Sequence, residues 1–383
     1  MKNISIVVAL ALFGSAAFAA GETSIEGVVY GDLTNHSEKQ NNGEKQSLFV
    51  NGSVNVGFAS GDVYNGLSFN LGARGNRKLF EKEDGDWGDA NRFDSTVFHT
   101  ANLTYSNDLL TVVAGRQEIA LEWLGDYHEA IVGIVKPAEA LTVIAGYTGK
   151  YAESDYDGYY GGFEDDVLTL RDENGVVVIS NKKQGAYVVE AIIAPVEGLA
   201  IEPWYYLVPD VADWFGGKVA FENDLFNASA AYTISKLDKK STKNMDDGGV
   251  LHIQAGIAPA EGINAYAGFA ATDEDGGAGG LSAVGENVSP FEDGDNFFNQ
   301  ETTTIYIGAG YEADALSVGA LLGVFDTGSK GGKGSINELD LTAGYGFTDW
   351  FSLNATLVSV FGGDKAYKDT DYTSLRVAAI FNY

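Results

Sequence analysis

Apolar and polar positions alternate along this chain with a period of two, and the alternation returns at regular intervals. Over residues 371–383, Leu375, Val377, Ala379, Phe381 and Tyr383 fall on one face, Ser374, Arg376, Ala378 and Asn382 on the other, with Ile380 the exception. Side chains of a strand point alternately to its two faces, so this segment is predicted to be a strand with one greasy and one wet side. The same pattern predicts strands over residues 23–32, 47–58, 64–74, 96–105, 109–116, 130–135, 141–148, 186–194 and 199–207. It continues over 214–221, 226–234, 250–258, 263–271, 303–311, 316–324, 336–347 and 351–361. With the last segment these make about eighteen, most near the ~9–11 residues a tilted strand needs to cross a bilayer.

The connections alternate in length. Tight ones fall at residues 60–61, 106–108, 136–140, 195–198, 222–224, 259–262, 312–315 and 348–350. Those between, at 33–46, 75–95, 117–129, 149–185, 235–249, 272–302, 326–335 and 362–371, are longer and polar, with 208–213 the short exception. Tight turns at one rim and long loops at the other characterise an up-and-down barrel, whereas Greek-key crossings mix the two. The predicted fold is therefore all-β: a transmembrane up-and-down antiparallel β-barrel of about 18 strands, with short periplasmic turns and long extracellular loops. An even strand count puts both termini at the periplasmic rim. Pro137-Ala138-Glu139-Ala140, Pro195-Val196-Glu197-Gly198 and Pro259-Ala260-Glu261-Gly262 read as one turn used three times.

Aromatic residues sharpen this reading. Phe58, Tyr105, Phe221, Phe226, Tyr311, Phe347, Phe351 and Tyr383 lie close to a tight turn or the C-terminus and share the parity of the aliphatic face. Girdles at headgroup depth have this placement. Between them the same face carries Leu67, Phe69 and Leu71, or Leu251, Ile253, Ala255 and Ile257. The opposite face is polar or glycine, as in Asn51, Ser53 and Asn55, Ser68, Asn70 and Gly72, or Ser352, Asn354 and Thr356. A greasy band outside and a wet face inside predict a water-filled lumen, which a barrel of this strand number is wide enough to hold. Passive diffusion of small hydrophilic solutes and ions is the expected activity.

Charge and composition narrow the alternatives. The chain has 54 acidic and 24 basic side chains, a formal charge of −30, which argues against a nucleic-acid partner. A hydrophobic share of 45% is too high for a disordered chain of that charge. No cysteine is present, so neither a disulfide framework nor a cysteine-based zinc site is available. Met1-Lys2-Asn3, an apolar run over 4–13 and Ala17-Phe18-Ala19 read as a cleaved signal peptide, residues 1–19. Residues 20–383 then form a single transmembrane β-barrel domain, expected in the bacterial outer membrane among its lipid and lipopolysaccharide.

Parity assigns ionisable residues to the inner wall: Glu26, Asp32, Glu190, Glu202, Glu338 and Asp340 as acids, Arg74, Lys218 and Arg376 as bases. An Arg or Lys facing lipid at mid-depth costs ~2–4 kcal/mol, which favours the same assignment. These groups either select solutes or pair locally, and both readings stand; Arg376 on the last strand is expected beside Glu26 on the first. Neutralising Glu338 and Asp340 is expected to lower cation over anion permeability. The segment 117–128 is too apolar for a solvated loop tip, because Ile119, Leu121, Trp123 and Leu124 need a surface to cover. Folded inward it would constrict the lumen and bring Arg116, Glu118, Glu122, Trp123 and Asp126 there; packing on other outer loops is the alternative. Arg116 falls on the outward parity of its strand, so it either turns inward at the rim or meets a neighbouring subunit.

Ala114-Gly115-Arg116-Gln117-Glu118, then Glu122-Trp123-Leu124-Gly125-Asp126-Tyr127, together with the terminal Phe381-Asn382-Tyr383, resemble the Opr-type porins. These are the major outer-membrane porins of the epsilonproteobacterial lineage, distantly similar to OprD. The resemblance implies an eighteen-stranded channel, commonly a homotrimer, with a loop folded into the pore. OprD-like channels carry an arginine ladder for substrate carboxylates, whereas arginine occurs here only at 74, 77, 92, 116, 171 and 376. No specific substrate is therefore carried over, and a general or mildly cation-preferring pore is expected.

Other chemistry weighs less. Acidic clusters at 81–89, 153–166, 273–275 and 292–295 could supply oxygens to a loop-bound Ca²⁺, but none matches the twelve-residue calcium-loop pattern, so no metal or cofactor is expected. The four histidines are scattered, and no Gly-x-Ser-x-Gly elbow is present, so an enzyme is not expected. The alternatives kept are a surface adhesin or receptor whose loops 149–185 and 272–302 bind a partner, and a membrane-embedded hydrolase.

Overall fold

The computed structural model describes residues 21–36, 46–89, 94–157, 162–163, 169–171, 177–180, 184–238, 247–274, 286–294, 296–328, 333–363 and 371–383. The signal peptide read at residues 1–19 lies outside them. The elements in chain order are β1 (Glu22–His36), β2 (Gln46–Ala59), β3 (Leu67–Glu81), the short helix α1 (Asp86–Asp89), β4 (Ser95–Ser106), β5 (Leu110–Glu118), β6 (Tyr127–Ala138) and β7 (Leu141–Ala152). A small hairpin follows, β8 (Thr169–Arg171) and β9 (Val177–Ser180). The wall resumes with β10 (Ala186–Val196), β11 (Leu199–Val208), β12 (Ala212–Glu222), β13 (Phe226–Leu237), β14 (Gly248–Ala260) and β15 (Ile263–Thr272). It ends with β16 (Thr302–Ala313), β17 (Leu316–Thr327), β18 (Gly334–Thr348), β19 (Phe351–Phe361) and β20 (Tyr372–Asn382).

Leaving out β8 and β9, each strand pairs antiparallel with the next, β7 pairs with β10, and β20 closes onto β1, making one 18-stranded barrel. Closure leaves no edge whose N–H and C=O groups would face hydrocarbon. At the seam Ile25 and Tyr383 exchange two backbone hydrogen bonds, of 3.0 and 2.8 Å. Every predicted strand is present, and many run further toward the long loops: the third, expected to stop at Arg74, continues to Glu81. Alternation fades where a wall rises above the lipid, but backbone pairing does not need apolar side chains. The hairpin β8–β9 lies within the long connection 149–185, whose sequence shows no clear alternation.

Burial is inverted relative to a soluble sandwich. Outward aliphatics remain exposed, for example Ile307 at 62% and Leu103 at 58%, while inward Asn51 and Ser53 are buried. At the periplasmic rim near the seam, Phe347, Phe351 and Phe381 stack at centroid distances of 5.2 and 5.0 Å, and Trp350 lies 6.4 Å from Tyr383. Two of the repeated turns put glycine at positive φ, Gly198 at +79° and Gly262 at +72°; a Cβ on Gly262 would meet the Glu312 carbonyl of the next turn at 1.9 Å. The inner wall departs from expectation on one side. Val188, Ile192, Trp204, Tyr206, Val208 and Trp214 face inward and are buried, as are Phe325, Ile336, Val358 and Val360. They are covered by apolar residues of loops that enter the barrel.

Candidate functional site

The connection between β5 and β6 turns into the barrel as a small hairpin. Ile119 N–H donates to the Asp126 carbonyl at 2.8 Å and Leu121 N–H to the Leu124 carbonyl at 3.0 Å. Asp126 closes the hairpin at φ +64°, a left-handed conformation that Asp tolerates through its short polar side chain. His128, fully buried on the wall, holds the returning chain by its 2.7 Å bond to the Gly125 carbonyl. Ile119, Leu121, Trp123 and Leu124 are all buried. The tip spans the interior to β11, β12 and β13, three to five places beyond β6 round the wall. There Lys218 Nζ lies 2.6 Å from Glu122 and 3.0 Å from Glu202, and Trp123 Nε1 donates to Thr233 Oγ1 at 3.1 Å.

A second segment, residues 286–298 between β15 and β16, enters from the other side. Asn287 joins the two: its N–H donates to the Glu122 carbonyl at 3.1 Å and its Nδ2 to the Leu121 carbonyl at 2.7 Å. Trp123 and Phe298 meet edge to face at 5.7 Å. Phe291 sits 4.9 Å from Phe325 and 5.7 Å from Tyr306, over Gly323, where a Cβ would come within 2.2 Å of its ring. The wall grips this segment through carboxylates. Glu338 accepts the N–H groups of Asp293 and Gly294 at 3.1 and 3.3 Å, and Asp340 accepts that of Glu292 at 3.1 Å. Asp293 in turn accepts from Arg376 and from the Tyr372 hydroxyl.

The inner-wall residues read from the sequence thus fall into groups. Arg74 pairs with Glu26 at 3.0 Å and donates to Ser53 at 3.1 Å. Lys218 joins Glu202 to Glu122, and Glu190 accepts from Tyr206 at 3.1 Å. Arg376 lies 3.9 Å from Asp32, its register partner across the seam, rather than beside Glu26, which is opposite Asn382. The expected Arg376–Glu26 contact is corrected by closure register, which parity alone cannot supply. Arg116 also departs from the constriction group: it stays outward, opposite Ala101, and lies 3.4 Å from Glu129. Glu118 pairs in register with Tyr127, whose ring is 4.5 Å from inward His99, and stands within electrostatic reach of Asp126, Asp155 and Arg74. The sequence marked this connection only for its acidic cluster 292–295 and as a surface for a partner, and not as an inward segment, although Val288, Phe291, Phe297 and Phe298 violate the same rule that marked 117–128: too apolar for a solvated loop.

Charge inside the barrel is enclosed. Asp126 touches solvent, yet so much protein surrounds it that burial, with help from Glu153 and Asp155 and against the Tyr151 hydrogen bond, pushes its carboxyl up to about 6. Burial also raises Glu122, opposed by Lys218, and Glu286, opposed by the N–H groups of Ser289 and Val288. For the calcium reading, Asp86 is spent on the N–H groups of Leu48 and Glu83, at 3.0 and 3.1 Å. Among the described residues no group of three or more Asp, Glu or His side chains is arranged to hold a metal ion. Asp275, Asp295 and most of 158–166 lie outside the described residues.

A closed eighteen-stranded barrel with a lipid-facing exterior and loops folded across its interior has the build of a transmembrane channel. The chain belongs to the Gram-negative porin family, whose profile matches residues 7–365. No curated protein matches it. Solved structures with the same fold include a BenF-like porin from Pseudomonas fluorescens Pf-5, at 11% identity and TM-score 0.77, covering 95% of this chain and 98% of that one. OccAB4 from Acinetobacter baumannii matches at 12% identity and TM-score 0.73, and Pseudomonas aeruginosa OpdK, solved with vanillate, at 11% and 0.73; each covers 94% of this chain and 98% of its own. The protein is an outer-membrane porin with the fold of these structures, a channel for small solutes.

Proposed function

We propose that this porin passes small hydrophilic solutes and ions by passive diffusion and prefers cations over anions. One observation carries the preference. Each base on the inner wall is already tied to carboxylates: Arg74 to Glu26, Lys218 to Glu122 and Glu202, Arg376 to Asp32 and Asp293. Glu118, Asp126, Glu190 and Glu286, by contrast, form no ion pair among the described residues. Among the described residues of the inner wall an anion would meet no free base, whereas acids along a lumen favour cations. Of the residues read from the sequence, Glu122, Trp123 and Asp126 are the ones assigned to the narrowing, with Asn287 joining them from the second loop. The test is the reversal potential of single channels in a planar bilayer under a salt gradient; a potential of the anion-selective sign overturns the preference.

Export by cleavage after residue 19, a homotrimeric state and outer loops facing lipopolysaccharide complete the proposal. N-terminal sequencing of the outer-membrane protein and light scattering in detergent check the first two.

A further inference from the structure

Toward the loop ends of β2, β3 and β4, buried polar atoms gather on the inner wall without partners among the described residues. Register puts Ser53, Asn76 and Ser95 in one inward row across the three strands. Asn51 lies two residues from Ser53 and Arg74 two from Asn76, so both share that face. Asn76 leaves its Oδ1 and Nδ2 unpaired, Asn51 its Oδ1, Arg74 its Nε and Ser95 its Oγ. Ser154 Oγ is likewise unpaired, on the segment that follows β7 and lies over this row. There Asn51 Nδ2 donates to the Tyr156 carbonyl at 3.0 Å, and the half-buried Tyr156 ring stands 5.8 Å from Tyr30. Asn51, Arg74, Asn76 and Ser154 are each more than nine-tenths buried.

Buried polar groups of a folded protein nearly always find partners, so unmet atoms concentrated in one patch point to a molecule that binds there. Aromatic rings bound the patch: Tyr30 lies 6.3 Å from Phe49, and Phe49 meets Trp87 of α1 edge to face at 5.3 Å. Arg74 brings no net charge, because its Nη2 is 3.0 Å from Glu26; with 29% of its side chain uncovered, Glu26 marks the side that meets the lumen. The unmet set is mixed in kind. Arg74 Nε and Asn76 Nδ2 only donate, Asn51 Oδ1 and Asn76 Oδ1 only accept, and the serine hydroxyls do either. A carboxylate would leave both acceptors unmet, and an ammonium both donors. A hydroxyl group serves all of them, and a few convergent polar groups beside aromatic rings make up a small-molecule pocket.

We propose that this patch binds a small uncharged polyhydroxylated solute, a sugar or polyol, on its way through the pore. Asn76 is its centre, giving one donor and one acceptor, with Asn51, Arg74 and Ser95 around it on the wall and Ser154 over it. The inference rests on the reading of the chain as a solute channel and names a class of solute for it.

Isothermal titration of the full-length protein in detergent should show saturable binding of ribose and none of acetate or methylammonium. Asn76→Leu removes a donor and an acceptor and should weaken ribose binding at least about tenfold, as two lost hydrogen bonds would. Ser154→Ala removes one hydroxyl from a segment outside the wall and should weaken it about fivefold. The folded band in unheated electrophoresis shows that each variant keeps its barrel; should N76L lose it, S154A decides. In planar bilayers ribose should interrupt the single-channel current in a saturable way, and N76L should remove the interruptions without lowering the open conductance. No saturable heat with ribose would mean that ordered water alone fills the patch, which overturns the proposal. Acetate or methylammonium binding more tightly than ribose also overturns it, as does ribose binding unchanged in the folded variants. A wild-type protein that binds ribose but carries no current would sink the channel reading instead and leave the site standing.

Discussion

Lys218 is the residue on which the geometry of the first loop turns. Its ammonium joins Glu122 on the tip to Glu202 on the wall, and removing it leaves two carboxylates facing each other. Because the group is part-exposed, Lys218→Met is expected to cost on the order of 1–3 kcal/mol, below the ~3–5 kcal/mol of a fully buried pair. Denaturant unfolding in detergent measures the loss, and the same variant should shift the reversal potential further toward cations. Asp126 predicts a pH dependence. The native state holds its proton up to about 6, whereas an ordinary Asp releases it near 3.8, so its contribution to stability falls as pH rises across that window. Its charge, and with it part of the cation preference, should be lost as pH drops through about 6, and Asp126→Asn should remove that step from a selectivity–pH curve. At this scale the sequence was a good guide to side and a poor one to partner. Parity put Arg376 and Glu26 on the same face but could not say that six residues separate them along the seam.

Among the elements, the two inward segments act together, joined at Asn287 and anchored by Glu338 and Asp340. Asn287→Ala removes the side-chain bond to Leu121 and should raise single-channel conductance and its fluctuation while leaving the barrel folded. E338Q/D340N separates anchorage from selectivity. As wall acids alone, these residues would change only ion preference when neutralised. As acceptors of three loop N–H groups, their amides should also loosen residues 286–298 and increase conductance. An unchanged conductance with altered selectivity would contradict the anchor. The first loop was legible because Ile119, Leu121, Trp123 and Leu124 are wrong for a solvated tip. The second carried the same signal, diluted by the long acidic and glycine-rich connection around it.

At the scale of the whole molecule, stability depends on a ring of pairings that closes between the two ends of the chain. Ile25 and Tyr383 bond at the seam, and Phe381 and Tyr383 extend the aromatic cluster of Trp350 and Phe351. Removing residues 380–383 should abolish the faster-migrating band that folded barrels give in unheated electrophoresis, because β1 and β19 are left with open edges near the membrane interface. A truncated protein that still shows the folded band would contradict that dependence.

Strand number, strand order and the identity of the two faces were readable from residue alternation together with the alternating lengths of the connections. A period of two in a chain that must satisfy its backbone within lipid leaves a closed barrel as the solution. What alternation does not encode is anything set across the barrel. The register at closure, the pairing of Lys218 with a loop four strands away, the union of two loops at Asn287 and the apolar half of the inner wall were decided only by tertiary structure. Each of these depends on distances between residues remote in sequence, which local patterning does not constrain.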